Sequence, residues 1–176
     1  MRRFIWIVGA ILLLFTASSA LSQSCFAEEM ITNEEYTIYR LALEEEGGAF
    51  SIDKETLDDV LVEDDALRLS TGIRPDADIV HNFKAQNLKK HPISTSFLQE
   101  LTPVAGFGRE ERKTVSFSRV GFDKPRRHAM LLVGITFYYP EDIMNEGIYL
   151  FLEKKAGNWT VGKKATAWSM RLGKIR

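Results

Sequence analysis

The sequence predicts an α+β fold: helices packed on a curved antiparallel sheet, the sheet being formed mainly by a C-terminal four-strand meander. Three observations predict it. Capped segments with helical spacing lie before Pro92. From Thr114 onward the apolar pattern changes to strands separated by short turns. The 176 residues are 45% hydrophobic and 27% charged, a globular composition whose length suits one domain with a sizeable core.

Residues 1–27 read as a secretory signal. Met1-Arg2-Arg3 is a short basic start, Phe4 to Phe15 is apolar apart from one glycine, and Thr16 to Ala20 is small and mildly polar. The apolar run is shorter than the ~20 residues of a membrane span, so no transmembrane span is expected in the mature chain. Cleavage is expected after Ala27, which leaves residues 28–176 as a single α+β domain; Ser18-Ser19-Ala20 offers the other cleavage place. Cys25 is the only cysteine. It either leaves with the signal or becomes the lipidated first residue of a bacterial lipoprotein, for which Leu21 stands one place too far back and Gln23 is bulky. Removal of residues 1–27 takes away Arg2 and Arg3 and no acid, leaving 21 basic residues against 24 acids, a charge of −3. That balance argues against nucleic acid as a partner.

Thr32-Asn33-Glu34-Glu35 is a capping box, with Ile31 and Tyr36 placed for the hydrophobic staple. Tyr36, Tyr39 and Leu43 follow at helical spacing and Gly47-Gly48 stops the pattern, predicting a helix over 33–46. Residues 53–65 hold seven acids and one lysine, with a short helix expected from Asp53 to Val60. Ala66 to Ser70 alternates as a strand. Asp76 caps a second helix with Ile79, Val80, Phe83 and Leu88 on its apolar side, ended by His91-Pro92. Residues 92–113 read as loop with some extended chain.

The strands are expected at Thr114 to Phe122, Ala129 to Tyr139, Ile148 to Glu153 and Trp159 to Trp168. Asp123-Lys124-Pro125-Arg126-Arg127 and Ala156-Gly157-Asn158 are turns, and Pro140 opens a loop that closes at Gly147. The helices are expected on one face of this sheet.

Linear motifs for catalysis are few. His81, His91 and His128 have no metal-ligand spacing, and no metal or cofactor is expected. Glu63-Asp64-Asp65 and Asp76-Ala77-Asp78 do not fit a calcium loop and read as solvated acidic faces. There is no Gly-x-Ser-x-Gly elbow, and Gly106-Phe107-Gly108 leads into Arg109-Glu110-Glu111 rather than a phosphate-binding helix. Lys124, Arg126, Arg127 and His128 cluster on one turn, a solvated hairpin tip or a surface for an acidic partner. Asn158-Trp159-Thr160 matches the glycosylation sequon.

Arg119 is the most informative polar residue. Strict alternation points it the same way as Val115 and Phe117. A buried arginine there needs a carboxylate or carbonyl partner, so it is either half of an ion pair or an anion-binding group in a pocket; a twisted strand end would place it in water. Tyr36, Tyr39 and Tyr138 are the aromatic residues that would line such a pocket beside it.

The C-terminal half resembles a family of uncharacterised secreted bacterial proteins. The matching pieces are Ser118 to Phe122, Ala129 to Gly134, Tyr149 to Lys155, Gly157, Trp159 and Trp168. Tyr36 to Tyr39 and Phe83 to Asn87 resemble that family's two helices. Its members often carry a cysteine pair between the second and third strands; Ile135 to Glu146 contains none here. The resemblance implies export and brings no activity with it.

The expectation is an exported, periplasmic or secreted protein with a noncatalytic binding or accessory role in the cell envelope, its partner a protein or a small molecule. One rival is an enzyme or small-molecule binder on a cone-shaped, cavity-bearing sheet. Another is an inhibitor or immunity-type protein with an open sheet edge or an exposed apolar patch.

Overall fold

The computed structural model describes residues 30–48, 50–58, 60, 75–101 and 112–173. The expected signal, Cys25, the strand at 66–70, the acids at 63–65 and the glycines at 106–108 lie outside them. From Ile31 onward the chain forms one compact unit.

Helix α1, Asn33–Glu46, begins where the capping box places it. Thr32 Oγ1 accepts from Glu35 N–H at 3.2 Å, and Glu35 Oε2 accepts from Thr32 N–H at 2.8 Å. Gly47, at φ 58°, ends the helix in a conformation that disfavours a side chain. Strand β1, Ser51–Ile52, follows. Helix α2, Ala77–Gln86, is capped by Asp76, whose carboxylate accepts from Asp78 N–H at 2.9 Å. Helix α3 is Thr95–Leu101. The remaining strands are β2 (Arg112–Phe117), β3 (Gly121–Phe122), β4 (His128–Tyr139), β5 (Asp142–Lys155) and β6 (Asn158–Gly173).

The α+β architecture and the C-terminal meander are present as predicted. The sheet runs β1-β2-β4-β5-β6, with β3 also pairing β4, and only the β1–β2 pair is parallel. β2 and β3 lie along the same side of β4 and are separated by a bulge. Phe117 pairs with Val133 and Gly121 with Met130, so three residues on one side stand opposite two on the other. Ser118 N–H donates to Leu132 C=O and Ser118 Oγ accepts from Leu132 N–H, both at 2.9 Å, which closes the gap.

Both faces of the sheet are covered, not one. Odd-numbered residues of β4 (Leu131, Val133, Ile135) join Val115, Phe117, Leu150 and Leu152 in a core beneath α1 and α3. Even-numbered Met130 and Leu132 join Tyr149 and Ala165 in a second core beneath Ile79, Val80 and Phe83 of α2. A strand buried on both faces reads as a continuous apolar run, and the run from Ala129 to Val133 has that form.

Four further expectations change. Asp53 to Val60 is not helical at its described residues: Asp53 N–H donates to Val115 C=O and Leu57 N–H to Phe117 C=O, so the segment runs extended beside β2. Residues 95–101 are helical, not loop, with Phe97 buried. β5 begins directly after Pro140-Glu141, and Asp142 to Gly147 is strand. Leu88 lies beyond the end of α2, 80% exposed.

Candidate functional site

Two arrangements of polar side chains stand out, one on each face of the sheet. The first lies between α1 and the bulge. Glu35 and Arg119 are buried, their side chains 2% and 3% exposed. Arg119 Nε donates to Glu35 Oε1 at 2.7 Å and Nη2 to Oε2 at 3.1 Å, the two-pronged geometry that suits guanidinium and carboxylate. Glu35 Oε1 also accepts from Val120 N–H at 3.2 Å. The carboxylate that completes the capping box therefore also holds the bulge.

The same bulge is gripped from the other elements. Asn87, just past α2, accepts from Arg119 N–H at 2.6 Å and donates to Arg119 C=O at 3.1 Å. Tyr39 O–H donates to Ser118 C=O at 2.9 Å. Burial, and then the Glu35 charge, push the Tyr39 hydroxyl well above its ordinary pKa, so it stays a donor.

Of the residues expected to line a pocket, Arg119, Tyr36 and Tyr39 lie on the α1 side. Tyr39 stacks on Phe117 with centroids 4.5 Å apart, Tyr36 packs on Phe97 at 4.5 Å, and Tyr36 O–H accepts from Ser94 N–H at 2.8 Å. These rings fill the space between the helices and the sheet. Tyr138, an even-numbered residue of β4, lies on the opposite face and is 39% exposed. The structure does not bring it together with the other three.

The second arrangement lies on the α2 side, at the end of the sheet beyond that helix's core. Ser51, Thr114, Thr136, Asn145 and Met170 are successive partners across all five strands of the sheet path. Ser51 Oγ and Thr114 Oγ1 are 2.9 Å apart, and Asn145 Nδ2 donates to Thr136 Oγ1 at 2.9 Å. In the row toward the core, Gly134 pairs with Gly147, and Gly147 with Trp168. A Cβ on Gly147 would stand 2.5 Å from three atoms of the Trp168 ring, so the indole lies flat on the backbone there. Trp168 Nε1 donates to Asn145 Oδ1 at 2.5 Å. In the row away from the core stand Arg112, Tyr138 and Ile143. None of Ser51, Thr114, Thr136, Asn145 and Met170 was singled out from the sequence. The available signal was in β4, whose even positions change from Met130 and Leu132 to Gly134, Thr136 and Tyr138 while the odd positions stay apolar to Phe137.

The basic hairpin tip is tied down by acids. Arg126 Nη1 and Lys154 Nζ reach Glu34 at 2.7 and 2.6 Å, and Lys124 reaches Asp78 at 3.1 Å. The Asp123 carboxylate accepts from Arg127 N–H at 2.7 Å, His128 N–H at 3.1 Å and the His128 ring at 2.8 Å. Burial pushes the Asp123 carboxyl up, but the His128 backbone and ring bonds and the Arg127 N–H outweigh it and hold the carboxyl below its ordinary range. A carboxyl depressed in the folded state adds stability above its unfolded pKa and loses it as pH falls through the folded one. Asp123→Asn is expected to lower the urea midpoint at pH 7 and to shrink the loss of stability between pH 5 and pH 2. Equal acid sensitivity in both proteins would contradict this role.

Among the described residues, no three His, Cys, Asp or Glu side chains gather as metal ligands, and no helix is long and apolar enough to cross a membrane. No family model, no curated protein and no solved structure matches the chain.

Proposed function

We propose that this chain is an exported, noncatalytic binding or accessory module of the cell envelope. The observation that carries the reading is the role of the polar groups between α1 and the sheet. Arg119, Glu35, Tyr39 and Asn87 bind one another and the bulge backbone, an arrangement that fastens α1 and α2 to the sheet. A second set of polar groups, Ser51, Thr114, Thr136 and Asn145, lies in a cross-strand row on a sheet face, which suits contact with a ligand surface. The basic start and apolar run at the N terminus support export.

Intact mass spectrometry on soluble and membrane fractions of a bacterial host expressing the full chain tests the reading. A soluble product beginning at Glu28 is expected. An acylated product beginning at Cys25 would make the module a tethered lipoprotein, and an uncleaved chain in the cytoplasm would overturn export.

A second reading, a protein inhibitor or immunity-type partner, is favoured by one feature. β6 is 16 residues long and ends the sheet path, with no strand beyond it among the described residues. Such an edge accepts an added strand.

A further inference from the structure

The cross-strand row on the α2 side has the chemistry of a ligand site. Its floor is polar and carries no formal charge: Ser51, Thr114, Thr136 and Asn145, ending at Met170. On one side of the floor stands Trp168 and on the other Tyr138, their backbone positions each about 7 Å from the row by the two-residue repeat of a strand. Crossing five strands makes the floor about 19 Å long.

The side chains are oriented before any ligand arrives. The indole rests on Gly147, and its N–H is held by Asn145 Oδ1. Asn145 is held in turn by its bond to Thr136. Fixed rotamers reduce the ordering cost of binding. Capacity for hydrogen bonding remains after these contacts. Asn145 Nδ2 has a second N–H, the Thr136 hydroxyl has its own hydrogen to donate, and Tyr138 presents a phenol on a 39% exposed residue. Thr114, Thr136, Asn145 and Trp168 are each half-buried, so the floor is open to solvent in part.

A flat aromatic face beside groups that both donate and accept matches a particular class of molecule. Sugar rings have apolar C–H faces and rims of hydroxyls that donate and accept together. Nucleic acids and anionic lipids would require several cations, and the register sets only Arg112 beside Tyr138. Peptides are taken at open strand edges or in apolar pockets, and the row lies on the face of paired strands.

We propose that the α2-side face built on Thr114, Thr136, Asn145, Trp168 and Tyr138 binds a short uncharged stretch of polysaccharide. The proposal deepens the envelope-module reading by naming the ligand class, and it rests on that reading for its setting only.

The test titrates the full-chain product, in whatever processed form the host yields it, with cellohexaose and chitohexaose. Calorimetry and amide chemical shifts are the readouts. Binding of at least one hexasaccharide is expected, with shifts concentrated at Thr136, Asn145 and Trp168. Thr136→Val and Tyr138→Ala are each expected to weaken binding about tenfold, the loss of one hydrogen bond or stacking contact, at an unchanged melting temperature. Leu88→Ala, on an exposed residue beyond α2, is expected to bind like the parent. Trp168→Ala should abolish binding, and the Thr136 and Tyr138 variants keep the test decisive if that one fails to fold. No binding of either sugar at millimolar concentration, or full binding by both Thr136→Val and Tyr138→Ala, would overturn the site. A mature exported product that ignores both sugars would sink the glycan site and leave the envelope reading. A cytoplasmic, uncleaved chain that binds them would do the reverse.

Discussion

Glu35→Ala is expected to destabilise the protein by about 3–5 kcal/mol, the cost of breaking a buried ion pair by removing one side. The substitution takes both carboxylate oxygens from the Arg119 guanidinium and also releases Val120 N–H and Thr32 N–H. Glu35→Gln separates the two roles of the residue. Glutamine can still close the capping box, so this variant keeps the helix start and loses the charge pairing. Its expected cost is about 2 kcal/mol, the scale of a hydrogen bond to a charged group. Urea unfolding of the three proteins measures both. If Glu35→Ala falls within about 1 kcal/mol of the parent, the scale of a helix cap alone, the buried pair does not hold the bulge.

The second large effect is expected where α2 crosses β3. Phe83 is fully buried, and its ring packs edge-on to Tyr149 with centroids 6.2 Å apart. Phe83→Ala should cost about 3–5 kcal/mol for lost burial and the cavity left behind. Gly121 lies directly beneath: a Cβ there would stand 2.7 Å from Phe83 Cα, and closer still to its Cβ. Backbone cannot swing aside, so Gly121→Ala must push α2 away, for about 3 kcal/mol. Truncating Phe83 leaves its Cα and Cβ in place. The double variant should therefore be at least as unstable as either single one. Rescue of Gly121→Ala by Phe83→Ala, in thermal unfolding, would show that the ring and not the backbone sets the spacing.

What the sequence made legible was local. The capping box at Thr32 and Glu35 specifies a helix start within four residues, and α1 occupies 33–46 as its caps predict. The turns at Pro125 and Gly157 separate β3 from β4 and β5 from β6 as their residues require. What failed was set by distant partners. The acids after Asp53 imitate a helix start, but parallel pairing to β2 keeps that segment extended. Asp142 to Gly147 is mixed and polar because it crosses the half-exposed end of the sheet, and long pairing with β4 and β6 carries it as strand. α3 is seven residues long and too short for a periodic signal.

The candidate site divides in the same way. Arg119 was legible as a residue in need of a partner. Glu35 was not, because its local role as a cap already accounted for it. The bulge at 118–120 also lets Arg119 and Val120 both address the α1 side, which strict alternation does not describe. The row from Ser51 to Met170 depends on a register across five strands, which no single segment encodes.

The contacts of the first turn of α1 have a consequence for the order of folding. Glu35 is 84 residues from Arg119, and Glu34 is 120 residues from Lys154 and 125 from Trp159. A 14-residue helix with its packing partners missing is marginal in water. During synthesis the first turn of α1 thus lacks the partner of Glu35 until Arg119 has emerged, and those of Glu34 until the last hairpin has. Contacts of such separation slow folding, so the first turn of α1 is the part of the helix fastened last.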